Sequence, residues 1–226
     1  MDLSGRTVLV VDDVRFTRAT LLKMLQQFGE PTLREAGDGA QALALLQEPG
    51  ASFDLVITDL EMPDLDGIGL LKEIRSGQTA LPNSLPVILL TGHSELDRMG
   101  PALLLDLDAF IPKPTSKQAL QSCIEHVLDD DHPARSVLSS PEHYRAIDIE
   151  SGSLLGIGAA AEKDGMEERP VAIKDLPDTS ILSRDLLFAN GRLLLSAGTT
   201  LNRRIAMRLA ELSTLSTLNE PAWIYA

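Results

Sequence analysis

The chain has 226 residues, 44% of them hydrophobic and only 4% aromatic, so it can build a core mainly from aliphatic side chains. Its formal net charge of −13 argues against nucleic-acid binding, which needs a basic surface. The single cysteine, Cys123, excludes an internal disulfide bond, and no apolar run approaches the ~18 residues of a membrane span. We therefore expect a cytoplasmic protein that does not enter a membrane.

Strand-like and helix-like segments alternate through residues 6–128. Apolar runs predict strands at 8–12, 55–59, 86–91 and 109–112, and residues 32–36 can form a further strand after the first helix. Helical patterns follow them at 15–28, 40–47, 68–75, 95–105 and 116–128. Because neighbouring parallel strands are joined by crossover helices, this alternation predicts an α/β fold, with a five-stranded parallel sheet and helices on both faces.

The composition changes after the last of these helices. Residues 129–169 are rich in Asp, Pro, Gly, Ser and Ala, which predicts a partly flexible linker between a domain at 1–128 and a small α+β module at 170–226. In this C-terminal module, Asn190-Gly191 lies between two leucine-rich runs and predicts a β-hairpin. We expect short strands at 171–173 and 223–225, and a helix capped by Thr199 or Thr200 that ends near Leu212.

Acidic residues end two of the predicted strands. Asp12 and Asp13 follow the first strand, and Asp59 closes the third. The carboxyl ends of neighbouring strands in an open α/β sheet meet in one crevice, where ligands bind. Three carboxylates in that crevice would repel one another without a cation, and oxygen ligands of this kind suit Mg²⁺. The sequence therefore predicts a Mg²⁺ site.

Two more strand ends carry residues that suit phosphoryl transfer. Thr91 ends the fourth strand and can donate its hydroxyl to a phosphoryl oxygen, while Lys113 follows the fifth and supplies a cation. Transfer to a carboxylate needs a nucleophilic Asp, a metal ion and donors for the developing charge. We therefore predict Asp59 as the nucleophile, with Thr91 and Lys113 as its catalytic partners.

Several motifs together resemble the receiver domain of two-component response regulators. They are Val-Asp-Asp at 11–13, Thr-Asp-Leu-Glu-Met-Pro-Asp-Leu-Asp-Gly at 58–67, Leu-Thr-Gly at 90–92 and Pro-Lys-Pro at 112–114, together with Arg18. The resemblance covers residues 6–128. It implies a flavodoxin-like sheet of order 2-1-3-4-5, and Mg²⁺-dependent phosphorylation of Asp59 by a sensor histidine kinase or a phosphotransfer protein.

The resemblance also implies roles for individual residues. Asp13 and Asp59 would hold the metal ion directly, Asp12 largely through water, and Glu61 through its backbone carbonyl. Phosphorylation would draw Thr91 inward, so that the ring of Phe110, the switch residue, turns into the vacated space. Two positions, Glu61 and His93, would tune the rate of dephosphorylation. The Lys113–Pro114 peptide bond would be cis. Asp108 occupies a position where Gly is common, so the resemblance does not define the conformation of the turn before the last strand.

The function of the C-terminal module is less defined by its sequence. Residues 176–212 are similar to a small module that accompanies HD-GYP phosphohydrolase proteins, but no His in the chain is followed by Asp, so the catalytic domain is not expected. One arginine-containing helix behind a hairpin does not match a helix-turn-helix. We expect a response regulator without enzymatic output that controls a downstream protein partner. The alternative is a regulatory subunit or truncated relative of an HD-GYP cyclic-di-GMP phosphodiesterase.

Self-association is left open by the sequence. The leucines at 103–105 lie on the predicted fourth helix, and such a run more often belongs to a core than to an interface. That helix face is nevertheless one through which receivers commonly dimerise or dock their outputs. A homodimer therefore remains an alternative to a monomer.

Overall fold

The computed structural model describes residues 1–129, 139–150, 153–154 and 167–225. Much of the predicted linker at 129–169 lies outside these ranges, so its flexibility and the predicted boundaries near 128 and 170 stay predictions. No helix among the described residues is both long enough and apolar enough to span a bilayer. Contacts divide the chain into two compact units, one of Met1–Glu95 with Leu107–Arg145 and one of Leu96–Asp106 with Ala146–Ala226.

The first unit contains a parallel five-stranded sheet. Its strands are β1 (Thr7–Val11), β2 (Thr32–Ala36), β3 (Leu55–Asp59), β4 (Val87–Thr91) and β5 (Ala109–Pro112). The helices along this part of the chain are α1 (Arg15–Leu25), α2 (Gly39–Gln47), α3 (Gly67–Arg75), α4 (Met99–Leu104), α5 (Lys117–Leu128) and α6 (Pro141–Arg145). The strand order β2-β1-β3-β4-β5 confirms the predicted flavodoxin-like sheet.

Apolar side chains cover both faces of this sheet. Alternate residues of the strands, such as Val8 and Val10 of β1, pack with residues of α1 and α5 in one buried cluster. The residues between them, such as Leu9 and Val11, are also fully buried. Burial on both faces explains why β1, β3 and β4 read as continuous apolar runs rather than as alternating ones, whereas β2 is largely exposed.

Polar residues at the helix starts fix where several helices begin. The side chains of Asp38, Asp66 and Ser116 cap α2, α3 and α5, each accepting a hydrogen bond from a backbone N–H three residues on. The predicted helix at 95–105 differs from the observed one, because His93–Arg98 forms a 3₁₀ helix and α4 starts only at Met99. Pro101 lacks the N–H that would bind the Asp97 carbonyl, so it must lie in the first turn.

A buried ion pair joins the starts of β4 and β5. Arg75, at the end of α3, is fully buried, and its Nη2 lies 2.6 Å from Oδ2 of Asp108. The same carboxylate oxygen accepts the backbone N–H of Val87 at 2.8 Å. Arg75 Nη1 also donates to the carbonyls of Asn83 (2.7 Å) and Leu85 (2.9 Å). Asp108 therefore has a structural role at the turn that the sequence left open.

The second unit contains short antiparallel strand pairs and one long helix. Its elements after residue 146 are β6 (Ile147–Asp148), β7 (Ser153–Leu154), β8 (Glu168–Val171), β9 (Ser180–Ile181), β10 (Leu186–Leu187), β11 (Leu193–Leu195), β12 (Thr200–Leu201), α7 (Arg203–Leu215) and β13 (Ala222–Tyr225). The strands pair as β6-β7, β13-β8, β12-β9 and β10-β11. The β10-β11 pair is the hairpin predicted around Asn190-Gly191.

Two expectations for the C-terminal module differ from the structure. The predicted strand at 171–173 ends at Val171, and Ile173–Asp175 forms a 3₁₀ helix. Neither predicted threonine caps α7, because Thr200 pairs in β12 and Asn202 takes the cap, where its Oδ1 accepts the Ile205 N–H at 2.8 Å. Because Thr200–Leu201 pairs as a strand, α7 begins two or three residues later than predicted.

Candidate functional site

Three carboxylates meet at the carboxyl ends of β1 and β3. One oxygen from each of Asp12, Asp13 and Asp59 lies within 4.8 Å of the others. Asp12 is fully buried, Asp59 is 5% exposed and Asp13 is exposed to solvent. The structure therefore brings together the three acids that the sequence singled out, and one side of the cluster is open to a ligand.

A close backbone approach holds the end of β3 in place. The Leu60 N–H donates to the Leu90 carbonyl at 2.9 Å, and the Gly67 N–H donates to the Leu60 carbonyl at 3.0 Å. A Cβ atom at Gly67 would lie 2.1 Å from the carbonyl oxygen of Asp59, so any larger residue would displace the strand end. Gly67 therefore lets the loop after β3 return against Asp59.

Hydrogen bonds also hold the end of β1. Oδ1 of Asp12 accepts the Val14 N–H at 2.8 Å, which turns the chain after the strand. The Arg18 guanidinium donates to the Asp12 carbonyl at 2.7 Å and to Oε2 of Glu35 at 2.8 Å. Arg18, which the resemblance included without a role, thus ties α1 to the strand end that carries the acids.

Lys113 is the cation closest to the acidic cluster among the ion pairs of the described residues. Its Nζ lies 2.6 Å from Oδ2 of Asp59 and 3.3 Å from Oδ2 of Asp12. The Lys113 N–H donates to the Thr91 carbonyl at 2.8 Å, which aligns the end of β5 with the end of β4. The Lys113–Pro114 peptide is cis, as the resemblance implied.

Burial and charge act in opposite directions on this ion pair. Burial raises the pKa of Asp59, and the carboxylates of Asp12 and Glu95 add to the rise, although Lys113 opposes it. Burial acts to lower the pKa of Lys113, but Asp59 and Asp12 outweigh it and leave that pKa raised. The protein therefore holds an anion at Asp59 at a cost that a bound cation would offset.

Asp59→Asn should stabilise the metal-free protein near neutral pH. The pKa of Asp59 is higher in the folded than in the unfolded chain. Asp59 therefore favours folding at a pH below the pKa of the unfolded chain, and this contribution is lost as the pH rises through the pKa of the folded chain. Each unit of pKa difference corresponds to about 1.4 kcal/mol. The gain in free energy of unfolding should therefore grow from about pH 4 to neutrality. Urea titrations in chelator at several pH values measure it, and a gain that does not change with pH would contradict it.

Thr91 and the loop after β4 contain a residue that the sequence analysis missed. Thr91 is fully buried at the end of β4, and its hydroxyl donates to the Gly92 carbonyl at 3.1 Å. The Gly92 N–H donates to Oε2 of Glu95 at 2.8 Å. Glu95 also interacts electrostatically with Asp59. The only signal for Glu95 in the sequence is its position four residues after Thr91. In the helix predicted at 95–105 it would be an acidic residue in the first turn, which is common.

The remaining predicted site residues lie on β5 and on the two loops. Phe110 pairs with Leu89, so its ring lies on the same sheet face as Thr91, two residues further along β4. The ring is 7% exposed and is therefore already buried in this conformation. Glu61 and His93 are exposed at the starts of the loops that follow β3 and β4. The switch and tuning roles of these residues stay predictions.

Comparisons with known proteins agree with this geometry. Chemotaxis protein CheY of Pseudomonas aeruginosa is 30% identical over 122 residues, which cover 54% of this chain and 95% of that protein. Transcriptional regulatory protein CpxR of Klebsiella pneumoniae is 36% identical over 148 residues, or 65% of this chain and 60% of that protein. A crystal structure of a response regulator receiver domain protein from Clostridium thermocellum matches with a TM-score of 0.50 and 28% identity, over 55% of this chain and 94% of that one.

The family comparison covers the same part of the chain. The model described as the response regulator receiver domain matches residues 8–125, a range that includes the parallel sheet except for the first residue of β1, and all the site residues described above. This match extends over more than half of the 226 residues. The chain therefore belongs to the family of response regulator receiver domains.

Proposed function

We propose that this chain is a response regulator in which Asp59 accepts a phosphoryl group, in a Mg²⁺-dependent reaction, from a sensor histidine kinase or a phosphotransfer protein. Receiver domains generally bind Mg²⁺ in an acidic pocket and interact with such partners. The observation that carries the proposal is the convergence of three carboxylates with Lys113, whose Nζ lies 2.6 Å from Asp59.

The acidic cluster suits a hard divalent cation. Oδ1 of Asp59 is buried and has no hydrogen-bond partner among the described residues, so this oxygen remains available as a ligand. Asp12 and Asp13 add carboxylate oxygens, and we propose the Glu61 backbone carbonyl as a further ligand. When bound, Mg²⁺ would offset the charge of the carboxylates and of the phosphoryl oxygens.

The proposed reaction transfers a phosphoryl group from the donor to the carboxylate of Asp59. A carboxylate oxygen of Asp59 attacks phosphorus and forms a P–O bond, while the bond from phosphorus to the donor breaks and the leaving group keeps the electron pair. Lys113 supplies positive charge, and the Thr91 hydroxyl can turn from the Gly92 carbonyl to a phosphoryl oxygen. Hydrolysis returns Asp59 when water attacks the same phosphorus: the P–O bond to the Asp59 carboxylate breaks, the carboxylate keeps the electron pair, and inorganic phosphate leaves with the protons of the water. We propose that Glu61 and His93 set the rate of this step and that Phe110 responds to the movement of Thr91.

We further propose that the C-terminal module is not an enzyme and that it acts in the cytoplasm through contacts with a downstream protein. The phosphorylation and dephosphorylation of Asp59 would then be the only chemistry of the chain. The lack of any His followed by Asp supports this proposal.

Labelling with a small phosphodonor tests the proposed function. The purified full chain, incubated with acetyl phosphate and Mg²⁺, should gain one phosphoryl group that maps to Asp59, and a chelator should prevent the gain. Asp59→Asn should abolish labelling, whereas Asp64→Asn, at an exposed acid of the following loop, should retain it. Label retained by Asp59→Asn, or wild type that stays unlabelled with donor and Mg²⁺ present, would overturn the proposal.

A further inference from the structure

The peptide bond after β4 directs an N–H toward the strand that carries Asp59. The Thr91 carbonyl accepts the N–H of Lys113 at 2.8 Å, so this carbonyl points toward β5. The C=O and N–H of a trans peptide point in opposite directions, and β3 lies on the other side of β4 from β5. The Gly92 N–H therefore points to the β3 side. Because Asp59 pairs with Leu90, this N–H faces the space that a group attached to Asp59 would occupy.

A carboxylate already occupies this N–H. Gly92 donates to Oε2 of Glu95 at 2.8 Å. Glu95 is half-buried, and its charge also acts on Asp59, whose pKa it helps to raise. A backbone N–H that binds a carboxylate oxygen here can equally bind another anionic oxygen, and donors of this kind stabilise the charge of a transferring phosphoryl group. The Glu95 carboxylate thus stands in for a phosphoryl oxygen.

The lack of a side chain at Gly92 makes room for the carboxylate. A Cβ atom at this position would lie 2.7 Å from Oε1 and 3.2 Å from Cδ of Glu95, and its three nearest atoms all belong to that carboxyl group. The φ of Gly92 is not in the left-handed region, so alanine fits the backbone. Gly92→Ala should therefore move the end of the Glu95 side chain away from the N–H while the backbone keeps its place.

A helix cap is the alternative role of this contact. The Glu95 N–H donates to the Gly92 carbonyl at 3.0 Å, so the backbone and the side chain of Glu95 together close the turn before the 3₁₀ helix, as in a capping box. A cap alone would stabilise the loop, and its loss would not make the site bind an anion more tightly. The two roles therefore predict different results.

We propose that Glu95 restrains the phosphorylation of Asp59, because its carboxylate occupies the Gly92 N–H that a phosphoryl oxygen needs. The inference rests on the proposed function of Asp59 and adds a residue that sets how readily the site accepts a phosphoryl group. Glu95 acts through Gly92 and is a positioning residue. When a phosphoryl group forms on Asp59, one of its oxygens accepts the Gly92 N–H, and the like charge of the phosphoryl group repels the Glu95 carboxylate toward solvent.

Competition for a single N–H makes the restraint measurable at equilibrium. If a bound anion must displace the Glu95 carboxylate, then removing that carboxylate must tighten the binding of the anion by the factor that the competition costs. Beryllofluoride, which mimics a phosphoryl group on Asp in the presence of Mg²⁺, is the probe. It reports on the site without any transfer of phosphorus.

Calorimetric titration of the full chain with beryllofluoride and Mg²⁺ tests the proposal. Glu95→Ala removes the competing carboxylate, and Gly92→Ala keeps its charge but displaces it from the N–H. Both variants should bind beryllofluoride roughly five- to tenfold more tightly than wild type. Glu30→Ala is the matched control, because it removes the same charge from an exposed position before β2, at the other end of the sheet, and it should match wild type.

The NMR resonance of the Gly92 amide gives a direct second readout. A hydrogen bond to a carboxylate shifts an amide proton downfield, so Glu95→Ala should move the Gly92 proton upfield. Beryllofluoride should then return this proton downfield in Glu95→Ala. A helix cap predicts the first of these shifts but not the return.

The outcomes separate the inference from the proposed function. Beryllofluoride that fails to bind wild type, or binds Asp59→Asn equally well, would overturn the function of Asp59. Normal binding to wild type, with equal or weaker affinity in Glu95→Ala or in Gly92→Ala, would overturn the restraint alone. In particular, tighter binding by Glu95→Ala but not by Gly92→Ala would mean that Glu95 acts by its charge and not by occupying the N–H. If Glu95→Ala does not fold, the affinity of Gly92→Ala decides.

Discussion

Lys113→Met should slow the phosphorylation of Asp59 by acetyl phosphate about 10²- to 10³-fold, the loss typical when a donor to developing charge is removed. Lys113 is the cation that lies 2.6 Å from the nucleophile, and methionine fills similar volume without charge. Because Lys113 opposes the rise in the pKa of Asp59, its loss should also raise the pH below which the rate falls. Initial rates measured across pH would show both effects.

The same substitution, although it slows the reaction, should not weaken the binding of Mg²⁺. Lys113 lies against carboxylates of both Asp59 and Asp12, so its charge competes with a divalent cation for them. We therefore expect Lys113→Met to bind Mg²⁺ at least as tightly as wild type while it reacts more slowly. Weaker Mg²⁺ binding would mean that Lys113 organises the metal site rather than the phosphoryl group.

Lys117→Met provides the matched control. Lys117, four residues further along, donates to Oε1 of Gln27 and lies over the ring of Phe28, 5.6 Å from its centroid. These contacts are on α5 and the segment after α1, and none of them involves the acidic cluster. The rate and the Mg²⁺ affinity of Lys117→Met should therefore match wild type.

The receiver fold was predictable because each of its elements carries a local signal. Strands β1, β3 and β4 are buried on both faces, so hydrophobicity alone marks them, and Asp38 and Asp66 mark helix starts by their capping chemistry. The carboxyl ends of parallel strands lie at one edge of the sheet, so the sequence alone predicts that the residues at the ends of β1, β3 and β5 share one site. The pairing of Asp59 with Lys113 follows from that rule.

Contacts that depend on distant chain segments were not predictable. Glu95 accepts the Gly92 N–H from a 3₁₀ helix that precedes α4, not from the continuous helix predicted at 95–105. Gly67 is needed because a returning loop meets the Asp59 carbonyl, a close approach that no periodicity reveals. Most of the strands in the C-terminal module have only two or three residues, too few for a hydrophobic period to appear.

The ion pair between Arg75 and Asp108 should contribute strongly to the stability of the fold. Arg75→Met should lower the free energy of unfolding by about 3–5 kcal/mol, because it removes the fully buried guanidinium that pairs with the largely buried Asp108 carboxylate. Asp108→Asn should cost less, about 1–3 kcal/mol, because an amide oxygen can still accept the Val87 N–H. Urea titrations measure both values.

Arg34→Met provides a control for the loss of an arginine, since Arg34 is exposed and lies 3.9 Å from Glu48, a distance at which a pair contributes less than about 1 kcal/mol. The double variant of Arg75→Met and Asp108→Asn should lose less than the sum of its parts, because the second change removes the unpaired charge created by the first. Full additivity would show that the two residues act separately.

Because Asp108 fixes the starts of β4 and β5, loss of the pair should also slow phosphorylation, through Thr91 and Lys113 at the opposite ends of the same strands.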